Sequence, residues 1–144
     1  MKNLNYRMLA AVPPEGTPLC ALGEISDGES RVFSFREDSA IFEMFVLRAP
    51  GHVKIDNEQK KPGNLYAYVN DCPHTHTPLD WTPGQFLDTK KNLLLCATHG
   101  ALFRIGDGLC IEGPCLGKSL TPVDIFVEND LIHIGKQSSI IEAK

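Results

Sequence analysis

The chain has 144 residues, of which 42% are hydrophobic, and it carries a formal net charge of -4. A chain of this length can bury a core as one domain without disulfides. The acidic balance and the lack of any run of Lys or Arg argue against nucleic-acid binding. No apolar stretch is long enough for a membrane span, and the apolar piece at residues 8–12 is shorter than that of a signal peptide.

Short runs rich in β-branched and aromatic residues recur along the chain, and each has the length of a strand rather than of a helix. These runs lie at residues 31–35, 41–47, 65–69, 93–96, 101–105, 123–127 and 131–134. Gly and Pro separate them at close intervals, which is typical of turns. The pattern predicts an all-β fold, an antiparallel β-sandwich whose last two strands form a hairpin.

The middle of the chain differs in composition from its two ends. Residues from about 70 to 117 are dense in Cys, His, Pro and Gly, with few strand-like runs. We interpret this region as a subdomain inserted into the sandwich, which then consists of about residues 1–69 and 118–144. The whole of residues 1–144 forms a single domain in this interpretation.

Two short pairs of metal-ligand residues lie in that region, Cys72-Pro73-His74 and Cys96-Ala97-Thr98-His99, with 21 residues between them. The single-residue spacing and the proline of the first pair oppose a helix, so we expect a tight loop. The second pair is followed by Gly100, which lets a backbone approach inorganic sulfide closely. Two such loops can clamp one metal ion or one two-iron core between two thiolates and two imidazoles.

The remaining cysteines are Cys20, Cys110 and Cys115, an odd number that does not suit a disulfide framework. We expect free thiols, although Cys110 and Cys115 can pair under oxidation if a turn brings them together. The reducing cytoplasm is the compartment that this cysteine usage favours.

Three segments, residues 70–74 (NDCPH), 96–103 (CATHGALF) and 108–114 (GLCIEGP), together resemble the soluble Rieske ferredoxins. The resemblance covers about residues 65–134. It implies one Rieske-type 2Fe-2S cluster, with one iron held by Cys72 and Cys96 and the other by His74 and His99. It also implies a Rieske-like sandwich with an inserted cluster-binding subdomain.

The resemblance further implies a third loop, at Gly113-Pro114, that covers the cluster, so that Gly100, Ala101, Phe103 and Pro114 lie around it. High-potential Rieske proteins of cytochrome bc complexes carry Ser and Tyr where this chain has Ala101 and Phe103. Without those hydroxyl donors the low end of the Rieske range, about -150 mV, is expected. The positions of their loop disulfide correspond to Thr77 and Thr98, so no such bond is expected.

Two departures from the family pattern occur in the first loop. The span from His74 to Cys96 is longer than in ferredoxin-type members, with an extra segment at residues 79–88, and His76 stands where glycine is common. We interpret His76 as a surface imidazole rather than a ligand, and Trp81 as a residue that pins the loop rather than one that docks a partner. A structural zinc site is the alternative for the four ligands, but zinc fingers usually keep Cys with Cys and His with His.

The function that the resemblance implies is one-electron transfer, from a flavin-type reductase to a terminal oxygenase or a similar redox enzyme. We expect no catalytic site in the chain itself. A Rieske oxygenase needs further histidines and a carboxylate in a long additional domain, whereas only 45 residues follow His99. The alternative is a fixed Rieske small subunit of a larger redox enzyme, of the nitrite reductase or arsenite oxidase type. The sequence identifies neither the donor nor the acceptor.

Overall fold

The computed structural model describes residues 5–73, 77–80, 84–98 and 100–136. The described residues contain nine β-strands, all paired antiparallel, and three 3-10 helices of three residues each. The strands are β1 (Pro18–Ala21), β2 (Ser30–Glu37), β3 (Ala40–Arg48), β4 (Leu65–Val69), β5 (Leu94–Cys96), β6 (Ala101–Phe103), β7 (Cys110–Glu112), β8 (Ile125–Glu128) and β9 (Leu131–Ile134). Among these residues, no helix has the length and hydropathy that a membrane crossing requires. The predicted all-β, antiparallel fold is confirmed.

The strands form three sheets of three, in the orders β2-β3-β4, β1-β9-β8 and β5-β6-β7. In β3 and β4 successive side chains enter two different cores, because neighbouring residues of a strand point to opposite faces. Phe45, Leu47, Tyr66 and Tyr68 belong to one core, which also contains residues of β5 and β6. Phe42, Met44, Val46, Leu65, Ala67 and Val69 belong to the other, together with Ile132 and Ile134 of β9. The sheet β2-β3-β4 therefore supplies side chains to both cores.

The predicted closing hairpin is present as β8 and β9, in register from Ile125↔Ile134 to Glu128↔Leu131. Asn129 and Asp130 form its two-residue turn with φ of 56° and 62°. Positive φ at both central residues defines the type I′ turn, whose twist matches that of the flanking strands. The run predicted at residues 123–127 begins as a strand only at Ile125, because the Val123 N–H instead bonds the Ala67 carbonyl oxygen of β4 at 3.0 Å.

Two strands were missing from our prediction. β1 pairs with β9, with a register shift between Pro18 and Cys20, and its four residues lack the alternation that marks a strand. β7 has only three residues and is followed directly by Gly113. The run predicted at 101–105 was also too long, since β6 ends at Phe103, where the chain turns towards β7.

Candidate metal centre

The first loop, residues 70–80, follows β4 and carries the first ligand pair. Cys72 is fully buried, and its N–H donates to the Thr77 carbonyl oxygen at 2.8 Å. The Asp71 N–H donates to the Val69 carbonyl oxygen at 2.9 Å. These bonds turn the chain after the strand at Asp71 and Cys72, whereas the loop predicted for the Cys-Pro-His segment extends to His74, outside the described residues.

Asn70 anchors the first loop from inside the protein, a role that sequence reasoning missed. It is 6% exposed, and its Oδ1 accepts the Leu79 N–H at 2.8 Å. Its Nδ2 donates to Glu43 at 2.9 Å and to Asp80 at 3.0 Å. One amide thus joins the two ends of the loop to β3. The only signal in the sequence was an amide two residues before a ligand cysteine.

The second loop, residues 97–100, joins β5 to β6. Cys96 is the last residue of β5 and is fully buried, and it pairs across the sheet with Ala101. The Gly100 N–H donates to the Cys96 carbonyl oxygen at 2.9 Å, and Gly100 has φ of +75° with no described atom within 4 Å of an added Cβ. Its backbone conformation, rather than a close approach, is therefore the visible reason for glycine here.

The two loops are joined by a backbone hydrogen bond. The Ala97 N–H of the second loop donates to the Leu79 carbonyl oxygen of the first at 3.0 Å. Leu79 is also the residue whose N–H Asn70 accepts. The two hydrogen bonds made by the Leu79 backbone therefore fix the distance between the first loop, which carries Cys72, and the second loop, which follows Cys96. Both cysteines belong to the same hydrophobic core.

The third loop, residues 113–117, lies against the start of β6, which follows the second loop. A Cβ added at Gly113, which has φ of +112°, would lie 2.7 Å from the Ala101 Cα and 3.1 Å from its Cβ. Such contacts are too close for any larger residue, so glycine lets the third loop touch β6 at Ala101. Ala101 and Phe103 are buried, whereas Gly100 and Pro114 are exposed. The third loop carries Pro114 at the surface and Cys115 in the core.

Cys115 lies among other thiols. Burial, and then the neighbouring thiols of Cys110 and Cys72, raise the pKa of Cys115 to about 12. None of the five cysteines forms a disulfide, and Cys20 alone is only partly buried. The thiols of Cys110 and Cys115 thus lie close to a predicted ligand, which the sequence spacing alone did not reveal.

Several predicted site residues lie outside the described part of the chain, namely His74 and His99 among the ligands, and also His76 and Trp81. The described residues contain no group of three or more His, Cys, Asp or Glu arranged to hold a metal ion. Of the predicted ligands, they include Cys72 and Cys96. Two buried thiols, one on the first loop and one at the end of β5, fit an iron-sulfur core, because thiolate is a soft, charged donor for iron.

The described histidines away from these loops have local partners. His52 is exposed, and its Nε2 lies 3.0 Å from the Asn92 Oδ1. His133 stacks on Phe126 with 4.8 Å between the ring centroids. Neither residue was given a functional role from the sequence.

The family model of the Rieske 2Fe-2S domain matches residues 16–129 of the chain. No curated protein matches it by sequence. Among solved structures, the ferredoxin of carbazole 1,9a-dioxygenase from Nocardioides aromaticivorans IC177 is similar at 21% identity and a TM-score of 0.55, over 84% of this chain and 99% of that one. The Sphingomonas yanoikuyae B1 ferredoxin is similar at 18% identity and a TM-score of 0.55, over 85% of this chain and 99% of that one.

A longer protein shares the fold as well. The terminal oxygenase of carbazole 1,9a-dioxygenase from Nocardioides aromaticivorans IC177 is similar at 17% identity and a TM-score of 0.61. That match covers 86% of this chain but only 31% of the oxygenase chain. The two ferredoxins match over nearly their entire length, and at these identities all three likenesses concern the fold.

Proposed function

This chain belongs to the Rieske 2Fe-2S domain family, and from that premise we propose that it is a one-electron carrier, passing electrons from a flavin-type reductase to a terminal oxygenase or a similar redox enzyme. The family implies a Rieske-type 2Fe-2S cluster as the cofactor. The observation that carries the proposal is the pair of buried thiols, Cys72 on the first loop and Cys96 at the end of β5, where the Ala97 N–H is hydrogen-bonded to the first loop. When bound, the cluster accepts and returns a single electron.

We propose that Cys72 and Cys96 hold one iron and that His74 and His99 hold the other. The two cysteines are fully buried. Thr98 and Gly100, on either side of His99, are both exposed, and Pro73, next to His74, is half-buried. This difference supports a cysteine side that faces the core and a histidine side that faces the partner.

The surface around the three loops suits brief contact with a partner. Exposed residues lie on all three loops: Thr77, Pro78, Ala97, Thr98, Gly100, Pro114 and Leu116. These side chains are small or uncharged, and the apolar Leu116 is 66% exposed. A small patch of this kind can bind and release a partner, whereas a permanent subunit interface buries a much larger area.

A fixed subunit of a larger redox enzyme is the alternative, and the distribution of exposed apolar side chains argues against it. The large hydrophobic residues exposed in the described part of the chain are scattered over separate elements: Met8, Ile41, Ile111, Leu116 and Leu131. A permanent interface needs a contiguous apolar patch. We therefore favour a carrier that moves between partners.

The proposed partners are a reductase as electron donor and an oxygenase or other redox enzyme as acceptor. Two of the similar structures contain the oxygenase and the ferredoxin of carbazole 1,9a-dioxygenase together. That pairing belongs to those proteins and supports the class of acceptor proposed here. We propose the cytoplasm as the location, since none of the five cysteines forms a disulfide.

We also propose that residues 70–117 form a cluster-binding subdomain on a base made of about residues 1–69 and 118–144. All three strands of the sheet β5-β6-β7 fall between residues 70 and 117, and the other six strands fall outside. This arrangement supports a single domain with one insert.

Electron paramagnetic resonance of the purified, dithionite-reduced protein tests the ligand assignment. We expect a rhombic two-iron signal with nitrogen coupling, and we expect His74→Ser and His99→Ser each to abolish the histidine-type signal. His52→Ser, at an exposed position, is the matched control and should keep it. Zinc without iron, or a nitrogen-coupled signal that survives in His74→Ser, contradicts the assignment.

Stopped-flow mixing tests the carrier role. The protein is reduced, mixed with an oxidised Rieske oxygenase, and followed by its visible absorption. We expect oxidation of the carrier with a rate that rises with oxygenase concentration. Leu116→Lys should slow this rate while leaving the cluster spectrum unchanged, because it places a charge on the proposed docking surface. Recovery of the protein only as part of a stable larger enzyme would favour the fixed-subunit alternative.

A further inference from the structure

Two cysteines outside the proposed ligand set lie in contact with each other. Cys110 begins β7 and Cys115 lies in the third loop, and each is 1% exposed. Their sulfur atoms are 3.2 Å apart, with the Cys115 thiol donating to the Cys110 sulfur. The Cys110 thiol donates to the Glu112 carbonyl oxygen at 3.3 Å. The two side chains thus point at each other.

Backbone hydrogen bonds hold this approach in place. The Cys110 N–H donates to the Lys118 carbonyl oxygen at 2.8 Å, and the Gly117 N–H donates to the Cys110 carbonyl oxygen at 3.1 Å. The Lys118 N–H in turn donates to the Cys115 carbonyl oxygen at 2.8 Å. A disulfide has an S–S length of about 2.05 Å, so the sulfurs need to move closer by roughly 1 Å. Side-chain rotation within a fixed backbone frame can supply such a movement.

We propose that Cys110 and Cys115 are a reversible dithiol and disulfide pair that a small disulfide such as oxidised glutathione closes. One cysteine thiolate attacks the glutathione disulfide, forming a mixed disulfide and releasing one glutathione thiolate. The second cysteine then attacks the protein sulfur of that mixed disulfide and releases the second glutathione. The two protein thiols lose two protons and two electrons, one S–S bond forms in the protein, and one glutathione S–S bond is reduced to two thiols.

Cys115 itself is buried, but its two neighbours in the sequence are not. Pro114 and Leu116, on either side of Cys115, are both exposed. A modest displacement of the third loop therefore opens a path to the thiols for a small oxidant. The disulfide ring contains only six residues, from Cys110 to Cys115, so its entropic stabilisation is small and a dithiol reductant should reopen it.

The closed ring would contain Gly113 and Pro114. Gly113 packs on Ala101 of β6. The disulfide would therefore tie the third loop, which makes this contact, directly to β7. This inference does not rest on the proposed electron transfer, because the bond forms between two residues outside the proposed ligand set.

Mass spectrometry of the full-length protein, purified with its cofactor, tests the pair. The protein is equilibrated in glutathione buffers from reducing to oxidising, alkylated with N-ethylmaleimide in denaturant, and digested with trypsin. The peptide from Ile105 to Lys118 contains both cysteines and no other. As the buffer becomes more oxidising, we expect this peptide to change from the doubly alkylated form to an unalkylated form that is lighter than the dithiol peptide by two hydrogen atoms. Dithiothreitol added to the protein before alkylation should restore the doubly alkylated form.

Matched variants show which residues form the bond. Cys20→Ser should leave the closed peptide unchanged, whereas Cys115→Ala should eliminate it and leave Cys110 alkylated or bound to glutathione. The wild-type result decides the matter even if a variant fails to fold. A peptide that stays doubly alkylated in the most oxidising buffer, or a disulfide from Cys110 or Cys115 to any other cysteine, overturns the proposal. Visible absorption recorded on the same samples reports the cluster separately, so a missing cluster and a missing disulfide are distinguishable.

Discussion

At the scale of single residues, the buried amide of Asn70 shows how one side chain positions two ligand loops. It satisfies the Leu79 N–H, and the Leu79 carbonyl oxygen then accepts the Ala97 N–H. Cys72 and Cys96 could be predicted as ligands from the sequence because their spacing and residue types have few alternatives. Asn70 was not, since an amide that precedes a cysteine gives no sign of being 6% exposed and bonded at both ends.

Asn70→Ala should destabilise the protein by about 1–3 kcal/mol, because the buried Leu79 N–H loses its acceptor. The first loop should also release its metal faster. Urea unfolding and the rate of iron loss to a chelator measure the two effects. Asn57→Ala removes an amide at an exposed position and is the control. Equal behaviour of the two variants would show that Asn70 has no positioning role.

Gly113→Ala should destabilise the protein more than Gly117→Ala does. Both glycines have positive φ, of +112° and +88°, so both substitutions introduce backbone strain. Only at Gly113 does the added Cβ meet Ala101, and overpacking of this kind costs about 1–3 kcal/mol. Thermal unfolding of the two variants measures the difference. If both variants lose the same stability, the contact between Gly113 and Ala101 does not contribute to the stability of the protein.

At the scale of elements, the connection between β6 and β7 shows why strand limits were harder to predict than strand presence. The side chain of Asp107 accepts hydrogen bonds from the Leu109 N–H at 3.1 Å, from Gln59 at 3.1 Å, and from Arg104. These contacts end β6 at Phe103, although the apolar run continues to Ile105, whose carbonyl oxygen accepts the buried Tyr68 hydroxyl at 2.6 Å. The bonds made by Gln59 and Tyr68 come from distant parts of the chain, so the local pattern could not show where this strand ends.

The seven runs read from the sequence all overlap strands, because β-branched and aromatic residues at strand length are a local signal. β1 and β7 carried no such signal. β1 depends on β9, more than 100 residues away, and β7 is too short for its alternation to show. Antiparallel pairing of distant segments was therefore the part of the fold that local reasoning could not supply.

Asp107→Asn should lower the stability of the protein at neutral pH. It should also make that stability less dependent on pH in the acid range. Burial alone would raise the pKa of Asp107, but the hydrogen bonds from Arg104, Leu109 and Gln59 outweigh it and hold that pKa below its usual value. An unfolded Asp has a pKa of about 3.9, so its stabilisation is complete above that pH and is lost as pH falls through the lower folded pKa.

Urea midpoints measured from neutral pH down to about pH 2 test this, a range that spans the pKa of an ordinary Asp. The difference in urea midpoint between wild type and Asp107→Asn should be largest at neutral pH and should become smaller below about pH 4. Asp38→Asn changes an exposed turn residue and serves as the control. A gap of constant size across the range would mean that ionisation of Asp107 does not stabilise the fold.

At the scale of the whole molecule, the reduction potential is the property that the surrounding side chains jointly set. Ala101 and Phe103 are buried and lack hydroxyl groups. Hydroxyl donors to cluster sulfurs stabilise the reduced, more negative cluster. Their absence supports the low potential expected from the sequence.

The double variant Ala101→Ser with Phe103→Tyr should raise the reduction potential from about -150 mV towards the upper part of the Rieske range, which extends to about +300 mV. Spectroelectrochemical titration measures it. Phe126→Tyr, which adds a hydroxyl on β8 in a different sheet, should leave the potential unchanged. An unchanged potential in the double variant, with the cluster spectrum intact, would rule out missing hydroxyl donors as the cause.

The pairing of β1 with β9 has a consequence for the order in which the protein is made. The ribosome releases residues 18–21 early, but their partner strand at residues 131–134 leaves it last of the nine described strands. Both predicted ligand cysteines and all three loops therefore emerge while the sheet β1-β9-β8 is still incomplete. During synthesis, these segments leave the ribosome before the strand that completes that sheet.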